Sequence, residues 1–89
     1  MTSQYDSRES AIEMGLYYAG FGDEALRKRA MDELPEAVQT QLGFPQNKTI
    51  DTYTVRTPAG KDVQIGVGKF REGFDLWLID PESGFSQKA

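Results

Sequence analysis

Three sets of acidic side chains lie close enough along this 89-residue chain to act together: Glu9 with Glu13, Asp32 and Glu33 with Glu36, and Asp75 with Asp80 or Glu82. Acids three or four apart on a helix share a face, where they could hold a hard cation or divide the roles of acid and base. Acids near helix N-termini are also what the helix dipole favours, so solvated surface is the simpler reading. The chain has no histidine and no cysteine. Triads of the Ser-His-Asp kind, thiol nucleophiles, thiolate metal sites and a disulfide framework are therefore excluded. Ser7, Ser10, Ser83 and Ser86 have no neighbouring base to activate them. The expectation is a protein that is not an enzyme, with no cofactor, no metal and no small-molecule substrate. A histidine-free hydrolase or isomerase working through carboxylates is the least favoured alternative.

Gly66-Val67-Gly68-Lys69 resembles a phosphate loop only in outline. A Walker loop needs glycine where Val63 stands and Ser or Thr where Phe70 stands. Asn47-Lys48-Thr49 matches a glycosylation sequon, but residues 1–6 show neither the basic region nor the apolar run of a secretory leader. No stretch approaches the roughly 18 apolar residues of a membrane span. A cytoplasmic protein without membrane contact is expected. No motif names a family or an activity.

Binding is better supported than chemistry. The net charge is -4, and all of it sits in residues 1–45, which hold 8 acids and 4 bases. Residues 46–89 hold 6 of each, and within residues 48–71 Lys48, Arg56, Lys61, Lys69 and Arg71 face only Asp51 and Asp62. A basic sheet with aromatics between its cations could bind nucleic acid through Arg56, Lys61, Lys69 and Arg71, with Arg27-Lys28-Arg29 on phosphate. The acidic total charge opposes that reading, which stands second.

The elements that must position these groups divide near Phe44-Pro45-Gln46-Asn47. Asp6 and Glu9 read as a capping box opening a helix near Ser7, with Ile12, Leu16 and Ala19 on one face and Gly20 ending it. Gly15 in its middle suits the close approach of another element. Asp23 caps a second helix, with Leu26, Ala30 and Leu34 as a buried stripe, Arg27 and Lys28 outward, and an end near Asp32 or Glu33. Pro35 then opens a short third helix carrying Val38 and Leu42 inward, ended by Gly43.

Three strands follow: Ile50 to Thr57, Asp62 to Phe70, and Phe74 to Ile79. Pro58-Ala59-Gly60 reads as a type I turn with a glycine bulge, pairing Val55 with Val63 and Tyr53 with Ile65. Arg71-Glu72-Gly73 is read the same way, pairing Phe70 with Phe74. Tyr53, Val55, Val63, Ile65, Val67, Trp77 and Ile79 then share one face. Phe70, Phe74, Leu76 and Leu78 share the other with Gly66 and Gly68, which leave a shallow groove. A two-residue turn at Glu72-Gly73 would flip the last strand and set Trp77 across from Gly68.

The fold expected is α+β: two or three N-terminal helices packed on a three-stranded antiparallel β-meander. It forms a single domain over 1–89, with a helical part at about 6–43, a sheet part at about 49–80 and a short tail at 81–89. Large apolar groups on both faces of residues 74–79 leave one face, and the outer edge of that strand, asking for a partner. The function expected is that of a small acidic protein-interaction module. It would be an accessory, regulatory or inhibitor protein that docks another protein or its own copy through the sheet as a homodimer. The residues expected to carry binding are Trp77, Phe74, Phe70, Leu76 and Arg71, with Tyr53 and Arg56 at the margin and the acids Asp32, Glu33 and Glu36 as a second surface.

Overall fold

Ser7, not Asp6, begins the helical structure: its side chain accepts the N–H of Ser10 at 3.0 Å. The computed structural model describes residues 5–89. Helix α1 runs Arg8–Tyr18 and α2 runs Glu24–Asp32. Strands β1 (Val38–Leu42), β2 (Lys48–Arg56), β3 (Asp62–Phe70), β4 (Gly73–Ile79) and β5 (Ser86–Lys88) form one antiparallel sheet in the order of the chain. The expected three-stranded meander is therefore corrected to five strands, and the expected third helix is absent.

The end of α1 follows from Gly20. At φ +113° it lets the Phe21 N–H reach back to the Leu16 carbonyl at 2.9 Å, and its own N–H reaches Tyr17 O at 3.2 Å. That is the paired closure of a Schellman motif, with Phe21 and Leu16 joining the same apolar cluster. Asp23 caps α2 by accepting the Leu26 N–H at 3.0 Å.

The expected stripe of α2 is only partly buried: Ala30 and Leu34 pack half-buried against the core cluster. Leu26 is 41% exposed, and no residue of this helix is buried. Arg27 also holds the helix, which overturns its outward placement. Its guanidinium donates to the carbonyls of Phe21 (3.0 Å) and Gly22 (3.1 Å) and to Glu13 (3.3 Å).

Pro35 removes a backbone donor and biases Leu34 toward extended backbone. The chain does not re-enter a helix but continues as β1. Val38 and Leu42 are four apart, which satisfies a helical and an alternating pattern alike. Pairing with β2 decides the matter: Thr40 meets Ile50, and Thr52 Oγ1 donates to the Val38 carbonyl at 3.0 Å.

Helix α1 lies on one face of the sheet. Its Ala11, Ile12 and Leu16 bury against Tyr53, Val55, Ile65, Val67 and Leu76. Arg8, at its start, reaches the β2 residues Asp51 and Tyr53, ion-pairing with the first and donating to the second's hydroxyl at 3.0 Å. The opposite face carries no helix among the described residues. It holds a second cluster of Leu42, Ile50, Trp77 and Ile79.

The β2–β3 hairpin forms as its sequence demands, with Gly60 at φ +83°, Val55 opposite Val63 and Tyr53 opposite Ile65. The β3–β4 hairpin does not. Phe70 pairs with Gly73 across the two residues Arg71 and Glu72, and Arg71 takes the left-handed backbone at φ +54°. Trp77 is thereby set opposite Gly66, away from α1, while Leu76 and Leu78 turn toward it. The expected faces of β4 are reversed.

The tail is not loose. Asp80 accepts the Glu82 N–H (3.0 Å) and the Ser83 hydroxyl (3.2 Å), the Gly84 N–H reaches its carbonyl (2.7 Å), and β5 pairs back onto β4. Tyr5 completes the same edge by exchanging two backbone hydrogen bonds with Phe74. The outer edge of β4, expected to be open, is thus filled.

The Asp80 carboxyl is held below its ordinary pKa of 3.8, chiefly by the Glu82 N–H and then by the Ser83 hydroxyl and Lys61. A lowered pKa means the ionised form favours the fold, so this stabilisation is present above the ordinary value and is lost as pH falls through the folded one. Acidification below the ordinary carboxyl pKa is expected to lower the protection factors of the Gly84 and Phe85 amides, taken against the intrinsic exchange rate at each pH, and Asp80→Asn should abolish that dependence. Equal acid sensitivity in the variant would refute the assignment.

Candidate functional site

Large side chains from β2 and β4 lie across the middle of β3 on the helix-free face because Gly66 and Gly68 offer no side chain there. A Cβ on Gly66 would stand 2.5 Å from Ile50 Cδ1, and one on Gly68 would stand 2.7 Å from Ile50 Cγ2 and 3.1 Å from Trp77 Cζ3. The groove expected over these glycines is filled by Ile50 and Trp77. Trp77 is 2% exposed without any helix above it.

What lies over the indole is charge. Lys48 Nζ is 5.3 Å from the Trp77 ring and 5.6 Å from Phe70, and Lys88 Nζ is 5.9 Å and 5.4 Å from the same two rings. Arg71 lies 5.1 Å from Phe70, and Lys69 lies 5.1 Å from Phe74. Three basic side chains thus gather over Phe70 and Trp77 on the helix-free face, while Lys69 over Phe74 lies on the α1 face of the same hairpin end. Their stems shield the rings while their heads stay near water.

The buried Asp75 balances part of this charge through Lys88, at 3.2 Å from Oδ2. Lys48 Nζ also donates to the Lys69 carbonyl at 3.1 Å. Asp75 Oδ1 and the Trp77 indole N–H, both buried, have no hydrogen-bond partner among the described residues.

The residues singled out from sequence separate accordingly. Phe70 and Phe74 are half-buried and Arg71 is exposed at this corner. Trp77 forms its floor, whereas Leu76 and Tyr53 are core under α1. Arg56 belongs to the other hairpin, where it pairs with Asp62 at 3.3 Å and donates to the Gly60 carbonyl at 3.4 Å. Asp32, Glu33 and Glu36 are exposed at and beyond the end of α2, and Glu33 lines a groove with Thr54 and Arg56 of β2.

The basic set proposed for nucleic acid is divided between two sheet ends: Lys61 stands just before β3 and Lys69 near its far end, roughly 26 Å apart at about 3.3 Å per residue. Lys48 and Lys88 were not foreseen as site residues. The signal for Lys88 was the turn-forming Asp80-Pro81-Glu82-Ser83-Gly84, after which a returning strand is the ordinary outcome.

Two carboxylates, Asp62 and Asp80, line a groove of about 390 Å³ with Ala19, Val63, Leu78 and Phe85. Asp62 is engaged by Arg56, and Asp80 is held ionised by its own turn. With its pKa lowered, Asp80 is not poised to give up a proton near neutrality. No cluster of three or more acidic side chains suited to a metal ion occurs among the described residues, and none of their helices is long and apolar enough to cross a membrane. Compared with protein-family models, curated proteins and solved structures, the chain matches none.

Proposed function

We propose that this protein is a non-enzymatic interaction module that docks an acidic surface of another protein through the corner formed by Lys48, Lys69, Phe70, Arg71, Phe74 and Lys88. The supporting observation is the clustering, at one hairpin end, of Lys48, Lys88 and Arg71 over Phe70 and Trp77 on one face and of Lys69 over Phe74 on the other, in a chain whose net charge is -4. Arginine and aromatic residues are the types that carry interface energy, and a positive patch on an acidic molecule orients an acidic partner during encounter. Arg71 adds a second support. Its left-handed backbone suits Gly or Asn better, and an arginine kept in that conformation at a hairpin tip fits a contact residue. The partner is met in the cytoplasm on this reading, and the protein acts as an accessory, regulator or inhibitor.

The test is capture from native, nuclease-treated lysate by the wild type and by Lys69→Glu with Arg71→Asn, since asparagine suits the hairpin tip. Proteins held by the wild type should elute at about 0.5 M salt and be missing from the variant, at equal melting temperature. Identical captures from both would sink the proposal. Retention that disappears on nuclease treatment would favour the nucleic-acid reading instead.

A further inference from the structure

The two edges of the sheet are built differently. β5 is three residues long and carries Lys88, and a short, charged strand resists pairing with a foreign one. β1 is five residues long, holds no charge and no proline, and stands outermost beside β2. Among the described residues, no backbone hydrogen bond outside the β1–β2 ladder involves Val38–Leu42. The strand is nevertheless firmly seated. Thr52 donates to the Val38 carbonyl, and the Thr40 and Thr52 hydroxyls are 3.0 Å apart. Val38 is 64% exposed, and Phe44, two residues past the strand, is 90% exposed.

β1 reads Val-Gln-Thr-Gln-Leu, which on inversion about Thr40 exchanges Gln39 with Gln41 and one apolar residue, Val38, with another, Leu42. We propose that β1 pairs antiparallel with β1 of a second copy around a two-fold axis at Thr40, joining two five-stranded sheets into one. Gln39 then lies opposite the second copy's Gln41, and Val38 opposite its Leu42. Outward continuation of that register sets Glu36 opposite Phe44, so no like charges meet. A closed two-fold contact of this kind uses one patch twice and leaves no free end. A five-residue edge buries less than the roughly 800 Å² per partner of a standard interface, so the dimer is weak and concentration-dependent. The inference is independent of the acidic partner proposed for the aromatic corner.

Sedimentation of the full chain from about 1 µM to about 1 mM tests it. The mass should rise from one chain toward two. Q39K/Q41K sets lysine against lysine twice across the axis and should raise the dissociation constant roughly tenfold. Q39K/Q41E sets lysine against glutamate twice and should dimerise at least as well as the wild type. Circular-dichroism melts establish that both variants fold. Amide exchange at residues 38–42 of the wild type, slowing as concentration rises, gives a readout that needs no variant. A wild type that stays monomeric overturns the proposal. So does Q39K/Q41K dimerising like the wild type, or a folded Q39K/Q41E that stays monomeric.

Discussion

Trp77→Ala is expected to remove about 3–5 kcal/mol of stability, the usual cost of truncating a buried aromatic. Total stability for 89 residues is about 5–13 kcal/mol, so this one change threatens the fold. The reason lies beneath the indole. Gly66 and Gly68 contribute no side chain to fill the space, and the cluster on this face has only Leu42, Ile50 and Ile79 besides. Among the described residues, nothing packs down from a second layer to collapse the cavity. The urea midpoint should fall sharply while the slope of the transition stays constant. A loss below about 1 kcal/mol would place Trp77 at the periphery. This expectation also separates two meanings of an aromatic residue in a binding module. Trp77 supports the corner from below, whereas the variants at Lys69 and Arg71 alter its surface.

Gly15→Val should cost about 3 kcal/mol, at the upper end of what overpacking exacts. A Cβ at Gly15 already stands 2.7 Å from Ile65 Cγ2 and 3.0 Å from Leu76 Cδ1. The Ile65 methyl is held close to its own backbone and gives little. Valine adds two further carbons at that contact and pushes α1 off β3 and β4. The consequence reaches the whole helical layer, because α1 supplies its buried residues and α2 supplies none. Gly15→Ala sets about 1 kcal/mol of helix propensity against the same close contact and should be mildly destabilising. Urea titrations of the three proteins should order as wild type, alanine, valine. An alanine variant more stable than the wild type would show that α1 rides higher above the sheet.

Local signals were legible wherever one residue type had one outcome. Gly20, Asp23 and Gly60 each fall in the turn or cap that their chemistry requires, and the β2–β3 register follows from Gly60 alone. Legibility ended where local preference was outvoted by packing. Val38 and Leu42 fit helix and strand equally, and only the ladder with β2 separates the two. At the second hairpin, Gly73 looked like the left-handed residue. Seating Trp77 over Gly66 and Gly68, and Leu76 under α1, settles the register and leaves Arg71 in the left-handed conformation. The same flip explains the partial reading of the site. Phe70, Phe74 and Arg71 were recognisable as contact types. Lys48 and Lys88 join them only through pairings at opposite sides of the sheet, β2 with β3 and β4 with β5, which no spacing in the chain reveals.

Trp77 is the one tryptophan of the chain, and two ammonium groups lie within 6 Å of its ring. The indole is therefore a spectroscopic label already installed under the proposed docking corner. Any acidic partner that draws Lys48 or Lys88 away from the ring changes the field across the chromophore. Its emission shifts without a dye, a tag or a substitution, and pairing along β1 leaves it unaltered. One fluorescence titration thus distinguishes occupancy of the corner from association at the edge.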